Sequence, residues 1–372
     1  MKKPGLEMHW RLGNAQLLVS DPRTRDSWDH LNLRGLNLPF MTASCWAIAT
    51  QVFGNGSERL LVGRQGEHVR AMLLVTRTGR LGWQTFQPSQ MPLGAWVAEA
   101  DIDACEMAAD ALAKGLIVAL SLTVSQVDPR HAARRTDGPA DEQADYIETA
   151  WVEVTGTFEA YWSERGKNLR QNMRKQRKKL ADDGVDMKFL AYRCEEDMAP
   201  ALKRYGLIES AGWKADLGTS IHPDNEQGRF YRSLLEDAAK RGEAIVYELR
   251  FNEKVVAMNL CLVRQGLLVV LKTTYDESVD KSISPAFLLQ EDVLRRLFEG
   301  DEVKRLEYYG RLRDWHTKWT DRKRMLHHLT VFRWPWVKAA AIWRRNARRR
   351  NIEPDLSRTI PTPGPISVER PG

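Results

Sequence analysis

Cysteine is sparse and long apolar runs are missing. The four cysteines, Cys45, Cys105, Cys194 and Cys261, are scattered over 372 residues, with no C-x-x-C pair and no histidine at ligand spacing. That pattern indicates neither a zinc site nor a disulfide framework, and no metal is expected. No apolar stretch reaches the roughly 18 to 20 residues of a membrane span, and Met1-Lys2-Lys3 leads into a polar mixture rather than a signal-peptide core. The expectation is a cytoplasmic protein. An RNA-recognition motif and aromatic-basic alternation on a predicted strand are also absent, so no pattern singles out RNA. What is present is apolar bulk and positive charge: 43% hydrophobic residues, 13 Trp and a net charge of +7. The length exceeds what one core usually supports, and two domains are expected.

The clearest local pattern runs from Ala244 to Tyr275 and into a helix at Pro285. The segments AIVYELRF, KVVAMNLCLVR and LLVVLKTTY are separated by Asn252-Glu253 and Gln265-Gly266, which predicts a three-strand meander. Pro285 suits a first helical position with Ser284 as N-cap, and Phe287, Leu288, Val293, Leu294, Leu297 and Phe298 recur at helical spacing. A strand that leads to a helix N-terminus leaves N–H groups directed at open space, which suits a phosphate. An ordinary capping arrangement gives the same residues.

A fainter copy lies earlier. EHVRAMLL at Glu67 to Leu74 aligns with EKVVAMNL at Glu253 to Leu260, an offset of 253 − 67 = 186, half of 372. The same order of elements surrounds it: strands at 59–63, 68–76 and 80–86, a helix at 103–113 and a strand at 116–124, which predicts a tandem duplication. The polar, Pro- and Gly-containing stretch 126–146 reads as the linker. After it the pattern predicts a strand at 151–154, helix 157–183, strand 186–192, helices 198–209 and 228–241, the meander, the Pro285 helix, strand 303–308, helix 312–324 and strand 327–333. The expected division is therefore 1–125, linker 126–146, a second domain 147–333, a basic amphipathic helix 334–350, and a disordered tail 351–372 with five prolines from Ile352 onward.

The order of these elements, together with ESAGWKADLGTS at Glu209 to Ser220, YDESVDKSISPAFLL at Tyr275 to Leu289 and the YWSERGKNLRQNMRKQRKKL helix, resembles the CelD-like acetyltransferases of the GNAT superfamily. These are associated with cellulose and exopolysaccharide synthesis and are similar in layout to the double-GNAT FemAB-type transferases. The resemblance implies an α/β fold of tandem GNAT-like domains, with mixed central sheets flanked by helices and a degenerate first copy. It also implies an acyltransferase with acyl-CoA, in the first instance acetyl-CoA, as co-substrate and no permanently bound cofactor. Two departures stand out: the Q/R-x-x-G-x-G/A pyrophosphate loop is absent, and Ala286 stands where the subgroup usually has Gly after Ser-Pro.

On that resemblance, the diphosphate would sit at the N–H groups of Ser284, Ala286 and Phe287 with Lys281 beside them. The thioester carbonyl would meet backbone N–H groups near Leu271, Lys272 and Thr273. A hydroxyl acceptor needs a base. Glu209, Asp276, Glu307 and His316 end predicted elements and are candidates, with Glu209 and Asp276 preferred and Tyr275 beside the thioester. Trp213, Lys214, His316 and Lys318 are expected to contact the acceptor. Structural roles compete with each assignment: a solvated helix end at Glu209, a turn cap at Asp276, and a packing pair for Trp315 and Trp319.

Two elements are strongly basic. From Arg165 to Lys179 eight cations occur without one acid, and Trp334, Trp336 and Trp343 precede Arg344, Arg345, Arg348, Arg349 and Arg350. The first suits anionic lipid, acidic glycan, CoA phosphates or tRNA. The second has the composition of a helix that lies in a membrane interface, unless its tryptophans pack back on the domain. Three functions stay open: acyl transfer from acyl-CoA to a hydroxyl or amine of a polysaccharide or lipid-linked envelope precursor, with peripheral contact to the inner membrane face; FemAB-type aminoacyl transfer from tRNA; and a non-catalytic scaffold that binds membrane or nucleic acid.

Overall fold

The computed structural model describes residues 8–211, 221–222 and 225–352. The first half carries β1 (His9–Asn14), α1 (Leu17–Ser20), α2 (Pro22–Arg34), α3 (Ala43–Phe53), β2 (Arg59–Gln65), β3 (His68–Arg77), β4 (Gly82–Thr85), β5 (Trp96–Ala98), α4 (Ala104–Asp110) and β6 (Ser121–Val127). The second carries β7 (Asp141–Glu153), α5 (Phe158–Ser163), α6 (Lys167–Asp182), β8 (Met187–Tyr192), α7 (Glu195–Ala211), α8 (Glu226–Lys240), β9 (Ala244–Phe251), β10 (Lys254–Arg264), β11 (Leu267–Tyr275), α9 (Pro285–Glu299), β12 (Arg305–Glu307), β13 (Lys323–Phe332) and α10 (Pro335–Ile352). The tail from 353 onward, Trp213 and Lys214 lie outside the described residues.

Thirteen strands form one sheet in the order β1-β2-β3-β4-β6-β13-β7-β12-β11-β10-β9-β8, with β5 on β3. The order is a duplicated pattern. β3 pairs antiparallel with β4, which runs parallel to β6; β10 pairs antiparallel with β11, which runs parallel to β12. The repeated octapeptides thus fall on β3 and β10, equivalent strands of the two halves. The strands that follow β6 and β12 in the chain are then exchanged: β7, which follows β6, pairs with β12, whereas β13, which follows β12, pairs with β6, and β7 and β13 pair with each other. Exchanged strands make the middle of the sheet common to both halves.

Two apolar clusters cover the sheet. One joins Trp28, Phe40 and Trp46 of the first half to Tyr205 of α7 and Phe230 of α8, with the Phe53 and Phe230 rings 5.1 Å apart. The other gathers Leu288, Val293 and Leu294 of α9 with Phe158, Leu169, Met173 and Trp319. Burial of these residues at about 25 cal/mol per Å² is the main favourable term for folding.

Several local expectations need correction. The helix read at 157–183 is broken at 164–166, where Gly166 is the N-cap residue of α6 with φ −52° and ψ 135°. The strand read at 151–154 starts at Asp141, because β13 supplies a partner from Asp141 to Ala150 before β12 takes over. The helix read at 312–324 is a single 3-10 turn at His316–Lys318, since Lys323 onward is drawn into β13. The meanders, α8 and α9 match the reading within a few residues.

Candidate functional site

The site begins where two strands part. β11 and β12 are paired only from Leu267 to Val269 against Arg305 to Glu307; from Val270 onward the edge of β11 that faced β12 has no strand partner. On its other edge β11 carries a bulge: Val270 lies opposite Cys261 and Lys272 opposite Leu260, so Leu271 has no opposite residue. A bulge re-aims the side chains that follow it. Leu271 packs toward the α7/α8 core, and Lys272 reaches Glu209 Oε1 and Oε2 of α7 at 3.2 and 3.3 Å and Gln227 Oε1 of α8 at 3.3 Å. Thr273 and Tyr275 instead line a cleft of about 650 Å³ beside α9.

That cleft is lined further by Asp276, Lys281, Ser284, Ala286, Phe287 and Gln290, and closed by Trp315 and Trp319. The sequence reading therefore placed most of its cofactor residues in one cavity. It missed Gln290, and it assigned the tryptophans to packing alone. The signal for Gln290 was available: a polar residue within the apolar face of a helix. Gln290 is 4% exposed and its Nε2 has no partner among the described residues, nor has the Nε1 of fully buried Trp319. A second groove of about 430 Å³ shares Lys281, Ile283 and Ser284 with the cleft and is lined by Lys175, Gln176 and Lys179 of α6.

The N-terminus of α9 differs from expectation in detail. Ser284 occupies the cap position, but its side chain makes no capping hydrogen bond. Its N–H donates to Gln176 Oε1 at 2.8 Å, and the Phe287 N–H donates to the Ser284 carbonyl at 3.0 Å. Ala286 is thus the residue of the three whose N–H has no partner among the described residues. Pro285 has none to offer. The Ser284 hydroxyl and Lys281 stand at the same end.

The candidate bases have distinct surroundings. Asp276 is ion-paired to Lys254 at 2.6 Å and accepts from the Ser278 N–H at 2.8 Å; burial pushes its carboxyl up, but these partners hold it below the usual range. It caps a turn. Glu209 is buried, paired to Lys272, and accepts from the Ile221 N–H at 2.8 Å. His316 accepts from the Arg313 N–H through Nδ1 at 2.9 Å, stacks on Trp315 with centroids 3.6 Å apart, and is absent from the cleft lining. Lys318 is exposed on the 3-10 turn. Burial lowers the His316 pKa to about 4. The folded state therefore binds fewer protons than the unfolded chain between about 4 and 6.5, and stability must fall as pH falls through that window. Denaturation of wild type and His316→Asn from neutral pH to pH ~4.5 should show a flatter acid limb in the variant; parallel limbs would contradict a neutral His316.

Glu307, the last paired residue of β12, belongs to a buried ionic network at the strand exchange. Arg130 Nη1 donates to its Oε1 at 2.9 Å, Arg324 Nη2 is ion-paired to Oε2 at 2.9 Å, and Arg305 Nη1 lies 3.9 Å from Oε1. Arg324 also binds Asp128 in bidentate fashion at 2.8 and 2.6 Å and lies over the Trp151 and Tyr309 rings. Desolvation pushes the Glu307 carboxyl up to about 7, against the opposing pull of Arg324.

The matching place in the first half is sealed. β4 and β6 are paired only over Gly82–Gln84 and Ser121–Thr123, but Ser125 N–H donates to Thr85 Oγ1 and Gly94 N–H donates to the Ser125 carbonyl, each at 2.9 Å. The loop fits tightly: a Cβ on Gly94 would meet Thr85 Oγ1 at 2.3 Å and the Ser125 carbonyl oxygen at 2.6 Å. α4 is seven residues long where α9 has fifteen.

Residues 167–318 match the model of an acetyltransferase (GNAT) domain. No curated protein matches the sequence. Among solved structures, the chain is similar to the C-terminal domain of a protein assigned as a lysylphosphatidylglycerol synthetase from Agrobacterium fabrum, with a TM-score of 0.54, 14% identity and coverage of 88% of this chain and 97% of that one. L-PGS from Bacillus licheniformis gives a TM-score of 0.52 and 13% identity over 89% and 94% of the two chains. FemX gives 0.54 and 9% over 81% and 94%. At such identities the likeness is one of fold. The architecture is a tandem GNAT-like α/β fold with a GNAT acetyltransferase domain in its second half.

Proposed function

We propose that the protein transfers an acyl group, acetyl in the simplest case, from acyl-CoA to a hydroxyl or amine of a polysaccharide or a related envelope precursor, as the CelD-like acetyltransferases do. The observation that carries this reading is the cleft at the parting of β11 and β12, continuous through Lys281 and Ser284 with a lysine-lined groove. A thioester would rest against the free edge of β11, and the diphosphate would lie at Ala286 N–H, Ser284 and Lys281, where the helix end favours an anion. The first half, 1–125, would serve structure or acceptor binding.

The base in this proposal is Glu307. Glu307 is the last residue of β12 paired to β11, and although its buried side chain does not itself line the cleft, burial pushes its carboxyl up to about 7. Asp276 is paired to Lys254, and its partners hold its carboxyl below the usual range. In the step, the acceptor hydroxyl or amine gives its proton to Glu307 as its oxygen or nitrogen bonds to the thioester carbon; the C–S bond then breaks and CoA thiolate leaves, to be protonated by solvent.

A second reading, aminoacyl transfer from tRNA, is favoured by the cationic α6 beside the cleft, since a polyanion would suit Lys175 and Lys179. Calorimetry separates the two. Acetyl-CoA should bind wild type at one site per chain, and Ala286→Glu, which sets a like charge at the phosphate seat, should weaken it by about tenfold or more. Equal affinity in both folded proteins, two sites per chain, or binding of aminoacyl-tRNA without binding of acetyl-CoA would contradict the proposal.

A further inference from the structure

Five well-exposed apolar side chains come from two distant parts of the chain that the fold brings together. Trp334, Trp336 and Trp343 are 46%, 62% and 71% exposed, so these indoles do not pack back on the domain. Ile117 and Val118, at the tip of the turn before β6, are 77% and 78% exposed. Arg333 ties the two together: its Nη2 donates to the Leu116 carbonyl at 2.7 Å, its Nε to Ala119 at 2.6 Å, and its N–H to Leu120 at 2.9 Å. Its guanidinium also lies 5.8 Å from the centre of the Trp334 ring, which stacks on Trp336 at 5.5 Å. The turn tip and the start of α10 are thereby held side by side.

α10 is oriented by its opposite face. Val337 is buried, Lys338 Nζ donates to the Gly138 and Asp141 carbonyls at 2.9 and 2.6 Å, and Arg345 pairs with Glu142 at 2.7 Å. Trp336 and Trp343, seven residues apart and so two turns along one side, are left outward with exposed Ala340 between them. Arg344 is exposed beside Trp343, and the sequence continues Arg348-Arg349-Arg350. Exposed patches of this kind mark interaction sites. Indoles and aliphatic tips next to arginines match the boundary between headgroups and acyl chains, where Trp is favoured and cations meet anionic lipid.

We infer that the Ile117–Val118 turn and the outward face of α10 form one surface that docks this protein peripherally on an anionic lipid bilayer. The attachment is shallow, since no helix among the described residues is long and apolar enough to cross a membrane. Membrane contact of the α10 segment was expected from composition; the participation of a turn some 220 residues earlier follows from the Arg333 hydrogen bonds. The surface is separate from the cleft, so the inference does not depend on the acyl-CoA reading.

Co-sedimentation of the full chain with phosphatidylcholine vesicles, with and without phosphatidylglycerol, tests it. Binding should require phosphatidylglycerol and weaken with salt. Trp336→Ser/Trp343→Ser and Ile117→Ser/Val118→Ser should each weaken it by about tenfold or more, as should Arg344→Glu. All these positions are exposed, so thermal unfolding and acetyl-CoA calorimetry should be unchanged and serve as folding controls. Undiminished binding by the Ile117/Val118 variant would overturn the joint surface. Wild type that ignores anionic vesicles at low salt would overturn the membrane assignment, as would self-association in sedimentation velocity that the same substitutions abolish in place of vesicle binding.

Discussion

Replacing Arg324 with methionine is expected to destabilise the fold by about 3–5 kcal/mol, the usual cost of removing one member of a buried ionic cluster. Arg324 is 8% exposed at its side chain and faces Asp128 and Glu307, both fully buried. Without it the two carboxyls remain in the interior at the place where β7, β12 and β13 meet, with Arg130 at 2.9 Å and Arg305 at 3.9 Å as the remaining cations at Glu307. The deficit should grow with pH. Burial pushes the Glu307 carboxyl up to about 7, well above the ordinary glutamate range, so the folded state binds more protons than the unfolded one over that window and loses stability as pH rises through it. Removal of Arg324 takes away the group that opposes this shift. Denaturant unfolding measures the difference, and adding Asp128→Leu should recover part of it. A loss below about 1 kcal/mol, the range of a surface pair, would mean the network is not dry.

Glu307→Gln should slow acyl transfer by about 100-fold or more while acetyl-CoA affinity stays the same, because a general base acts on the acceptor proton and not on cofactor binding. The amide keeps an oxygen for Arg130 but cannot take a proton. In wild type, activity measured as thiol release in the presence of acceptor should rise with pH through about 7, where Glu307 loses its proton. That limb should be missing in Glu307→Gln. If the variant keeps the limb and the rate, proton transfer belongs elsewhere, and Glu209→Gln is the next variant to compare.

Much of the second half was legible because its signals are local. Turn residues Asn252-Glu253 and Gln265-Gly266 set the meander, with Asn252 and Gln265 at positive φ as such turns need, and Ser284-Pro285 marked the start of α9. The β3/β10 equivalence was also visible, in eight residues. The helices between β1 and β2 were passed over although their caps are ordinary ones: Asp21 before Pro22, and Thr42, whose side chain accepts from the Cys45 N–H. The strand exchange could not be read, since nothing local in residues 141–153 says that their partners are 323–331 and 305–307. For the same reason the sequence showed Asp128, Arg130 and Arg324 only as scattered charges, and Glu307 only as one of four candidate bases without its partners. Pairing 177 to 196 residues apart made them a network.

Acyl-CoA occupancy of one site, at the parted edge of β11 and the N-terminus of α9, is the centre of this account. Amide hydrogen exchange on the full chain, with and without saturating acetyl-CoA, tests it without knowledge of the acceptor. Slowed exchange should be confined to two stretches, residues 270–275 at the free edge of β11 and 284–290 at the start of α9, with the sealed counterpart at 85–97 unchanged. Protection at 85–97, or saturation that leaves both second-half stretches unprotected, would contradict it.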